Sequence, residues 1–211
     1  MESFSVPELL SARKGHFLLE SGHHGDLWMD LETLCNRPWL LKEPVSRIAG
    51  HLAGLKIDAV CGPLVEGAFL GLLVAAELEV PFSYSERFSR TAKEGLFPVG
   101  YRVPASLREG LRGKRVAIVN DVINAGSAVI GTYEDLHRCG ASVVAIGALL
   151  VLGSAASEFA GKHGIDLFSL DTQPNNLWTV GECPLCRAGI PLQDVAAFGA
   201  ELGSPRTADR V

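Results

Sequence analysis

The most regular pattern in the chain is a series of short, unbroken apolar runs separated by helix-like stretches. Residues 57–61 (IDAVC), 116–119 (VAIV) and 143–151 (VVAIGALLV) carry no alternating polar positions. That pattern predicts strands buried on both faces. Each is followed by a segment of helical character, at 68–78, 127–139 and 154–163. Alternation of this kind predicts a parallel sheet joined by right-handed crossovers. Gly140 stands where a helix-closing glycine belongs. A further helix after Pro44 places Val45, Ile48, Ala49 and Leu52 on one face and ends at Gly54. Residues 5–14 predict a short helix with Pro7 in its first turn and Gly15 as a stop. In 15–34, two apolar groups flank Ser21-Gly22-His23-His24-Gly25, which predicts two short strands around a loop. Residues 86–100 (ERFSRTAKEGLFPVG) are too polar for a core element and predict a mobile loop. Beyond Leu170 the pattern turns irregular, and 202–211 reads as a frayed tail.

Composition narrows the function. At 211 residues the chain suits one core, since single cores grow to about 250 residues before chains split. Its 47% hydrophobic and 20% charged content is that of a globular protein. A net charge of -5 provides no basic field for nucleic acid. The amino terminus lacks a basic start followed by an apolar stretch. The longest apolar run, 143–152, is about half of the roughly 20 residues a membrane span needs. These features predict a soluble, cytoplasmic chain. Five scattered cysteines point to free thiols in a reducing compartment.

The candidate chemistry sits where the strand 116–119 runs into Asn120-Asp121-Val122-Ile123-Asn124-Ala125-Gly126-Ser127. An apolar strand, polar residues at its end and a small-residue turn into a helix suit a phosphate, because helix amino termini offer unpaired N–H groups and ligands of open α/β sheets sit at strand carboxyl ends. Gly126 permits close backbone approach, Ser127 can cap the helix and donate a hydroxyl, and Asp121 can accept from sugar hydroxyls. An ordinary strand-turn-helix with a Ser N-cap fits the spacing equally.

This segment resembles the signature of type I phosphoribosyltransferases, and the orotate enzymes among them look most similar. Gly15-His16-Phe17-Leu18-Leu19-Glu20-Ser21-Gly22 is similar to their base-covering segment. Cys61-Gly62-Pro63-Leu64-Val65-Glu66-Gly67-Ala68 is similar to their pyrophosphate loop, and Phe82-Ser83-Tyr84-Ser85-Glu86-Arg87 to the strand leading to their catalytic loop. Residues 182–192 (ECPLCRAGIPL) look like a carboxyl-terminal motif of one bacterial branch. The resemblance implies an α/β fold, a parallel sheet flanked by helices, with a core of about 41–170 and a small hood from about 1–40 and 171–201. It implies transfer of ribose 5-phosphate from phosphoribosyl pyrophosphate (PRPP) to a base nitrogen, with Mg²⁺ bridging pyrophosphate and ribose oxygens. Ala125, Gly126, Ser127 and Ala128 would hold the 5-phosphate, with Asn120 and Asp121 facing the ribose and Arg87 reaching the pyrophosphate. Lys93, with Arg90 and Arg102 as alternates, would close over the leaving group. Gly62, Pro63, Leu64, Val65, Glu66 and Gly67 would form the pyrophosphate loop, and Glu20, Ser21, Gly22 and Asn124 would lie near the base. A loop that serves the neighbouring subunit implies a homodimer.

Five positions depart from the orotate pattern. Asn120 replaces the first acid of the pair, Asn124 a Thr, Leu152 a base-binding Arg, Glu20 a Lys, and Glu66 a glycine of the pyrophosphate loop. A carboxylate beside a pyrophosphate is repulsive unless a cation intervenes. Three readings follow: an orotate enzyme with an atypical site, a phosphoribosyltransferase for another base, and a noncatalytic sensor of PRPP or nucleotide. Cys183 and Cys186 have zinc-like spacing, but with no second pair nearby in the sequence they read as a packed turn. His23 and His24 read as incidental exposed histidines that could contact the base. Cys61 reads as a small buried hydrophobe.

Overall fold

The computed structural model describes residues 10–31, 34–89 and 99–193. In chain order the elements are β1 (Ser11–Leu18), β2 (His24–Asp30), α1 (Lys42–Ala53), β3 (Ala59–Pro63), α2 (Glu66–Leu78), β4 (Phe82–Ser89), β5 (Val99–Arg102) and α3 (Ala105–Leu111). There follow β6 (Arg115–Ile123), α4 (Ser127–Arg138), β7 (Ser142–Leu152), α5 (Ala155–His163), β8 (Asp166–Gln173), β9 (Leu177–Trp178) and the short α6 (Pro184–Arg187). Short 3-10 turns at Leu34–Asn36 and Pro38–Leu41 precede α1.

The central sheet has the order β5-β4-β3-β6-β7-β8. Its strands are parallel except β5, which returns antiparallel to β4. The unbroken apolar runs have a direct cause in this arrangement, because both faces of the sheet are covered. Val60, Ala117, Val119 and Leu149 pack with Ile48 and Leu52 of α1 and Leu70 and Val74 of α2. The alternate residues Cys61, Val116, Ile118 and Ile146 pack on the other face with Leu136, Ala156 and Ala160. Helix α1 comes so close to β7 that a Cβ at Gly147 would lie 2.9 Å from Ile48 Cγ2. On the α3 side, buried Asp135 accepts from the Val103 amide at 2.8 Å and from Arg108 Nη1 at 2.6 Å.

A second, three-stranded sheet of order β1-β2-β9 draws on both ends of the described chain. Strands β1 and β2 form an antiparallel hairpin with an irregularity between Lys14 and Phe17, and β9 pairs with β2 at His24↔Trp178 and Gly25↔Leu177. Phe17 also bridges to Gln193.

The structure corrects several expectations. Residues 11–14 are strand, not helix, since they pair with Leu27–Asp30; residues 5–9 lie outside the described residues. The first core strand begins at Ala59 rather than residue 57; the chain bends at Asp58, whose carboxylate accepts the Arg115 amide at 2.8 Å. The segment 86–100 is not loop throughout: Glu86–Ser89 and Val99–Arg102 are paired strands, the first largely exposed and the second buried at Val99–Tyr101. Residues 90–98 lie outside the described residues. The region after Leu170 is more ordered than its pattern implied, with β8 running to Gln173 and β9 and α6 following. Gly140, at φ 79°, closes α4 as expected.

Candidate active site

The carboxyl ends of β3, β6 and β7 open into a cleft of about 590 Å³, roofed by the β1–β2 hairpin. Every residue from Asn120 to Val129 lines it, as do Pro63, Leu64, Val65, Glu66, Gly67, Glu20, Ser21, Arg87 and Leu152. Segments far apart in sequence thus share one cavity because parallel strands deliver all their carboxyl ends to one edge. Strand β6 extends through Asn120 and Asp121 to Ile123, four residues beyond the expected end. Gly126 (φ 83°) then makes the turn into α4, and its carbonyl accepts the Ile130 amide at 2.8 Å. Ser127 is the first helical residue and does not cap the helix; Gly126 stands at the N-cap, with no side-chain cap bond.

Instead, Ser127 Oγ donates to Glu20 Oε1 at 3.2 Å. The same carboxylate oxygen accepts from Tyr101 OH at 2.8 Å, and Arg87 Nε lies 3.3 Å from Glu20 Oε2. Glu20 therefore occupies, from the hood, donors that an anionic ligand of the cleft would use. This arrangement holds Tyr101 protonated, its phenol pushed far up by burial and by the adjacent Glu20.

Asp121 is buried, and desolvation raises its carboxyl to about 7 against the opposing Val122 amide, with Glu66 adding repulsion. An unfolded Asp ionises near pH ~4, so between about pH 4 and pH 7 the folded state binds more protons than the unfolded one. Stability of the ligand-free protein is therefore expected to fall as pH rises through that window and to level off above about 7. Thermal midpoints measured from pH 4 to pH 9 test this. Glu66→Gln should move the upper limit of the window to lower pH; an unchanged limit would remove Glu66 from the account.

Asn120, the departure from an acidic pair, has a local role: its Nδ2 donates to the Val122 carbonyl at 3.0 Å, which a carboxylate cannot do. Its Oδ1 also faces Gly67 so closely that any Cβ there would collide with it. Gly62 is similarly confined, an added Cβ lying 2.6 Å from Ala68 Cα and Gly67 O. The segment 62–67, with a cis peptide between Leu64 and Val65, is thus pressed against β6. Gly67→Ala is expected to pry these walls apart and weaken anion binding by about 10-fold or more, the cost of displaced hydrogen-bond donors. Titration with pyrophosphate would show it.

Other expected residues are placed differently. Gly22 (φ 81°) makes the hairpin turn rather than lining the cleft. Asn124 lines the cleft, and its Oδ1 accepts from Asn175 Nδ2 at 2.7 Å. Arg102 stands away from the cleft, its guanidinium 4.7 Å over the Phe88 ring. Arg90 and Lys93 lie outside the described residues. Leu152 is buried at the end of β7, and Leu27, Trp28, Met29 and Leu31 extend an apolar wall from the hairpin. Arg13, Tyr101 and the hairpin-side residues Leu27, Trp28, Met29 and Leu31 were not singled out from the sequence as site residues, whereas Leu152 was. Reading 11–14 as helix hid Arg13, and alternation in 99–102 is the signal that could have revealed Tyr101.

Cys61 is buried at the sheet centre, and burial pushes its thiol up to about 12, as suits a hydrophobe rather than a nucleophile. His24 is neither exposed nor part of the cleft; it is buried beside His16, Cys183 and Cys186. The second pair of donors missing near Cys183 and Cys186 in sequence is therefore present in space.

Comparison with known proteins agrees with this geometry. The model of the phosphoribosyl transferase domain family matches residues 41–185. The chain belongs to that family. It is 29% identical over 195 residues to the orotate phosphoribosyltransferase of Caldanaerobacter subterraneus, covering 91% of this chain and 93% of the relative. It is 30% identical over 192 residues to that of Nitratiruptor sp., covering 83% and 88% respectively. In fold, it is similar to the orotate phosphoribosyltransferase of Aeropyrum pernix (TM-score 0.57, 24% identity, 76% of this chain and 87% of that one). It is similar also to the adenine phosphoribosyltransferase of Thermoanaerobacter pseudethanolicus (TM-score 0.62, 19% identity, 79% and 97%). The phosphoribosyltransferase fold, a parallel sheet flanked by helices, is thereby established for this chain, and with it the class of transferase.

Proposed function

We propose that this phosphoribosyltransferase uses orotate, converting it with PRPP to orotidine 5'-phosphate and pyrophosphate. The observation that carries the reading is the single cleft in which the 120–128 turn, the 63–67 loop and the hairpin meet. The backbone amides of Ala125, Gly126, Ser127 and Ala128 at the start of α4 receive the 5-phosphate. Asp121 accepts from the ribose hydroxyls, with Asn120 beside it. Arg87 and the loop from Pro63 to Gly67 take the pyrophosphate, and Lys93 closes over it from 90–98. Chemistry of this kind passes through an oxocarbenium-like state with charge gathering on the leaving group, so positioning and cationic donors carry the catalysis. The donors beside the ribose position, Asp121, Glu66 and Asn120, offer oxygen atoms, a set suited to Mg²⁺. Magnesium, when bound with PRPP, neutralises charge on the leaving pyrophosphate.

For binding, Glu20 must yield Ser127 and Arg87 to the substrate. Arg13 then offers a cation on the hood side of the cleft, where Leu152 gives none. The reading includes a cytoplasmic homodimer in which 90–98 serves the partner's site. Among the described residues no helix is long and apolar enough to cross a membrane.

One observation favours a second reading. The apolar wall of Leu27, Met29, Leu31 and Leu152 suits an uncharged base better than the orotate carboxylate. Incubation of purified protein with PRPP, Mg²⁺ and each of several bases, following pyrophosphate release, separates the two. Release with orotate supports the first reading; release with another base alone replaces it; release with none, despite PRPP binding, makes the protein a sensor. Light scattering that finds only monomer at micromolar concentration removes the shared loop.

A further inference from the structure

The hood holds a cluster that the transferase chemistry does not use. His16 on β1, His24 at the start of β2, and Cys183 and Cys186 around α6 turn one ligand atom each to a common point, all four atoms within 4.8 Å of one another. We propose that these four residues bind a zinc ion in a Cys2His2 site that fastens the β1–β2 hairpin to the carboxyl-terminal turn.

Distances argue for a tetrahedral ion. Zn–N bonds of about 2.0–2.1 Å and Zn–S bonds of about 2.3 Å imply separations of about 3.3 Å for N–N, about 3.6 Å for N–S and about 3.8 Å for S–S. His16 Nε2 and His24 Nδ1 are 2.9 Å apart. Cys183 Sγ is 3.4 Å and Cys186 Sγ 3.7 Å from His16 Nε2, and Cys186 Sγ is 3.3 Å from His24 Nδ1. These separations lie close to a zinc tetrahedron.

Hydrogen bonding points the same way. His16 Nδ1 lies 2.8 Å from the Ile190 carbonyl, an acceptor only, so that nitrogen carries the proton and Nε2 presents its lone pair inward. A carbonyl orienting the far nitrogen is the usual support of a metal-bound imidazole. Without an ion, that one lone pair faces the His24 nitrogen and both thiols, and it can accept from only one of them well. With an ion, every inward lone pair has a use. Mixed sulfur and nitrogen donors in a tetrahedron select zinc among common divalent ions. His16, His24 and Cys183 are buried while Cys186 is exposed, which leaves an entry path at the rim.

The local structure serves the site. The Cys-x2-Cys spacing places Cys183 at the N-cap of α6 and Cys186 one turn on, with the Arg187 amide donating to the Cys183 carbonyl at 3.3 Å. His16 falls in the irregular stretch of β1 between Lys14 and Phe17, and its carbonyl accepts the Gln193 amide at 2.7 Å. The hairpin so anchored carries Arg13, Glu20, Ser21, Leu27, Trp28 and Met29 into the cleft.

The test uses the full chain purified under reducing conditions, stripped with a chelator and titrated with Co²⁺ and then Zn²⁺. One Co²⁺ per chain is expected, with intense tetrahedral d–d bands and thiolate-to-cobalt charge transfer, abolished by one equivalent of Zn²⁺. Elemental analysis after gel filtration should find about one zinc per chain in the unmodified protein and in Cys35→Ser, and none in Cys183→Ser with Cys186→Ser. Zinc should also slow proteolysis within the hairpin and carboxyl-terminal turn. Failure of the unmodified chain to bind either ion at micromolar concentration overturns the proposal, whatever the folding of the variants. So does a cobalt spectrum without thiolate charge transfer, zinc retained by the double variant, or a Cys183–Cys186 disulfide in protein isolated without oxidant, which would make the pair a redox couple.

Discussion

Asp121→Asn is expected to lower kcat/KM for PRPP by about 10 to 100-fold, the effect of losing charge-assisted hydrogen bonds worth about 1.5–3 kcal/mol. The same substitution should raise the thermal midpoint of the ligand-free protein above pH 7. The two effects share one cause. Asp121 is buried at the end of β6 near Glu66, and its carboxyl is raised to about 7. An uncharged amide relieves that burial but cannot accept from ribose hydroxyls as a carboxylate does. Steady-state kinetics and thermal scans on one preparation measure both. A variant that loses activity and stability together at pH 8 would mean that Asp121 is structural. Because Glu66 bears on the same carboxyl, Asp121 and Glu66 substitutions should be non-additive, and a double-mutant cycle would expose the coupling.

Lys93→Ala is expected to lower kcat by about 100-fold while leaving affinity for the product nucleotide nearly unchanged, as for a group acting mainly in the transition state. Lys93 belongs to 90–98, which joins β4 to β5, strands that still pair at Ser89↔Val99. Strand β5, which follows the segment, carries Tyr101, the donor to Glu20. Product binding should depend on the 120–128 turn, so isothermal titration with nucleotide should distinguish Lys93 from Asp121. Equal losses in nucleotide affinity and kcat would place Lys93 in ground-state binding. Mixing Lys93→Ala with Asp121→Asn subunits should restore part of the activity if the loop works across a dimer, since one of the two shared sites then has both residues intact.

Glu20 illustrates how a departure from a family pattern acquires meaning in three dimensions. From the sequence it is an acid where relatives carry a Lys. In the structure it receives Tyr101 and Ser127 and pairs with Arg87. Asn120 is similar: a missing acid in sequence, and in space an amide donating to Val122 O against Gly67. Neither role could be deduced from residue type, because each depends on which backbone or side chain is brought opposite.

The layered core and the place of the site were legible in the linear pattern of residues. Unbroken apolar runs at β3, β6 and β7 can be sheltered only between two layers of helices, and intervening helices of crossover length require parallel strands. Parallel strands send their carboxyl ends to one edge, so the turn from Asn120 to Ala128 had one place to be. Those constraints are local or periodic, and a linear pattern records them. Which distant groups meet depends on packing in three dimensions. Edge strand β5 and the short β9 span only four and two residues, too few for a period to stand out along the chain, although Val99 and Tyr101 of β5 are buried. Glu20 reaches Ser127 107 residues away, and His16 reaches Cys183 167 residues away. Such contacts follow from how the hood hairpin packs over the core and against the carboxyl-terminal turn, a relation with no period along the chain.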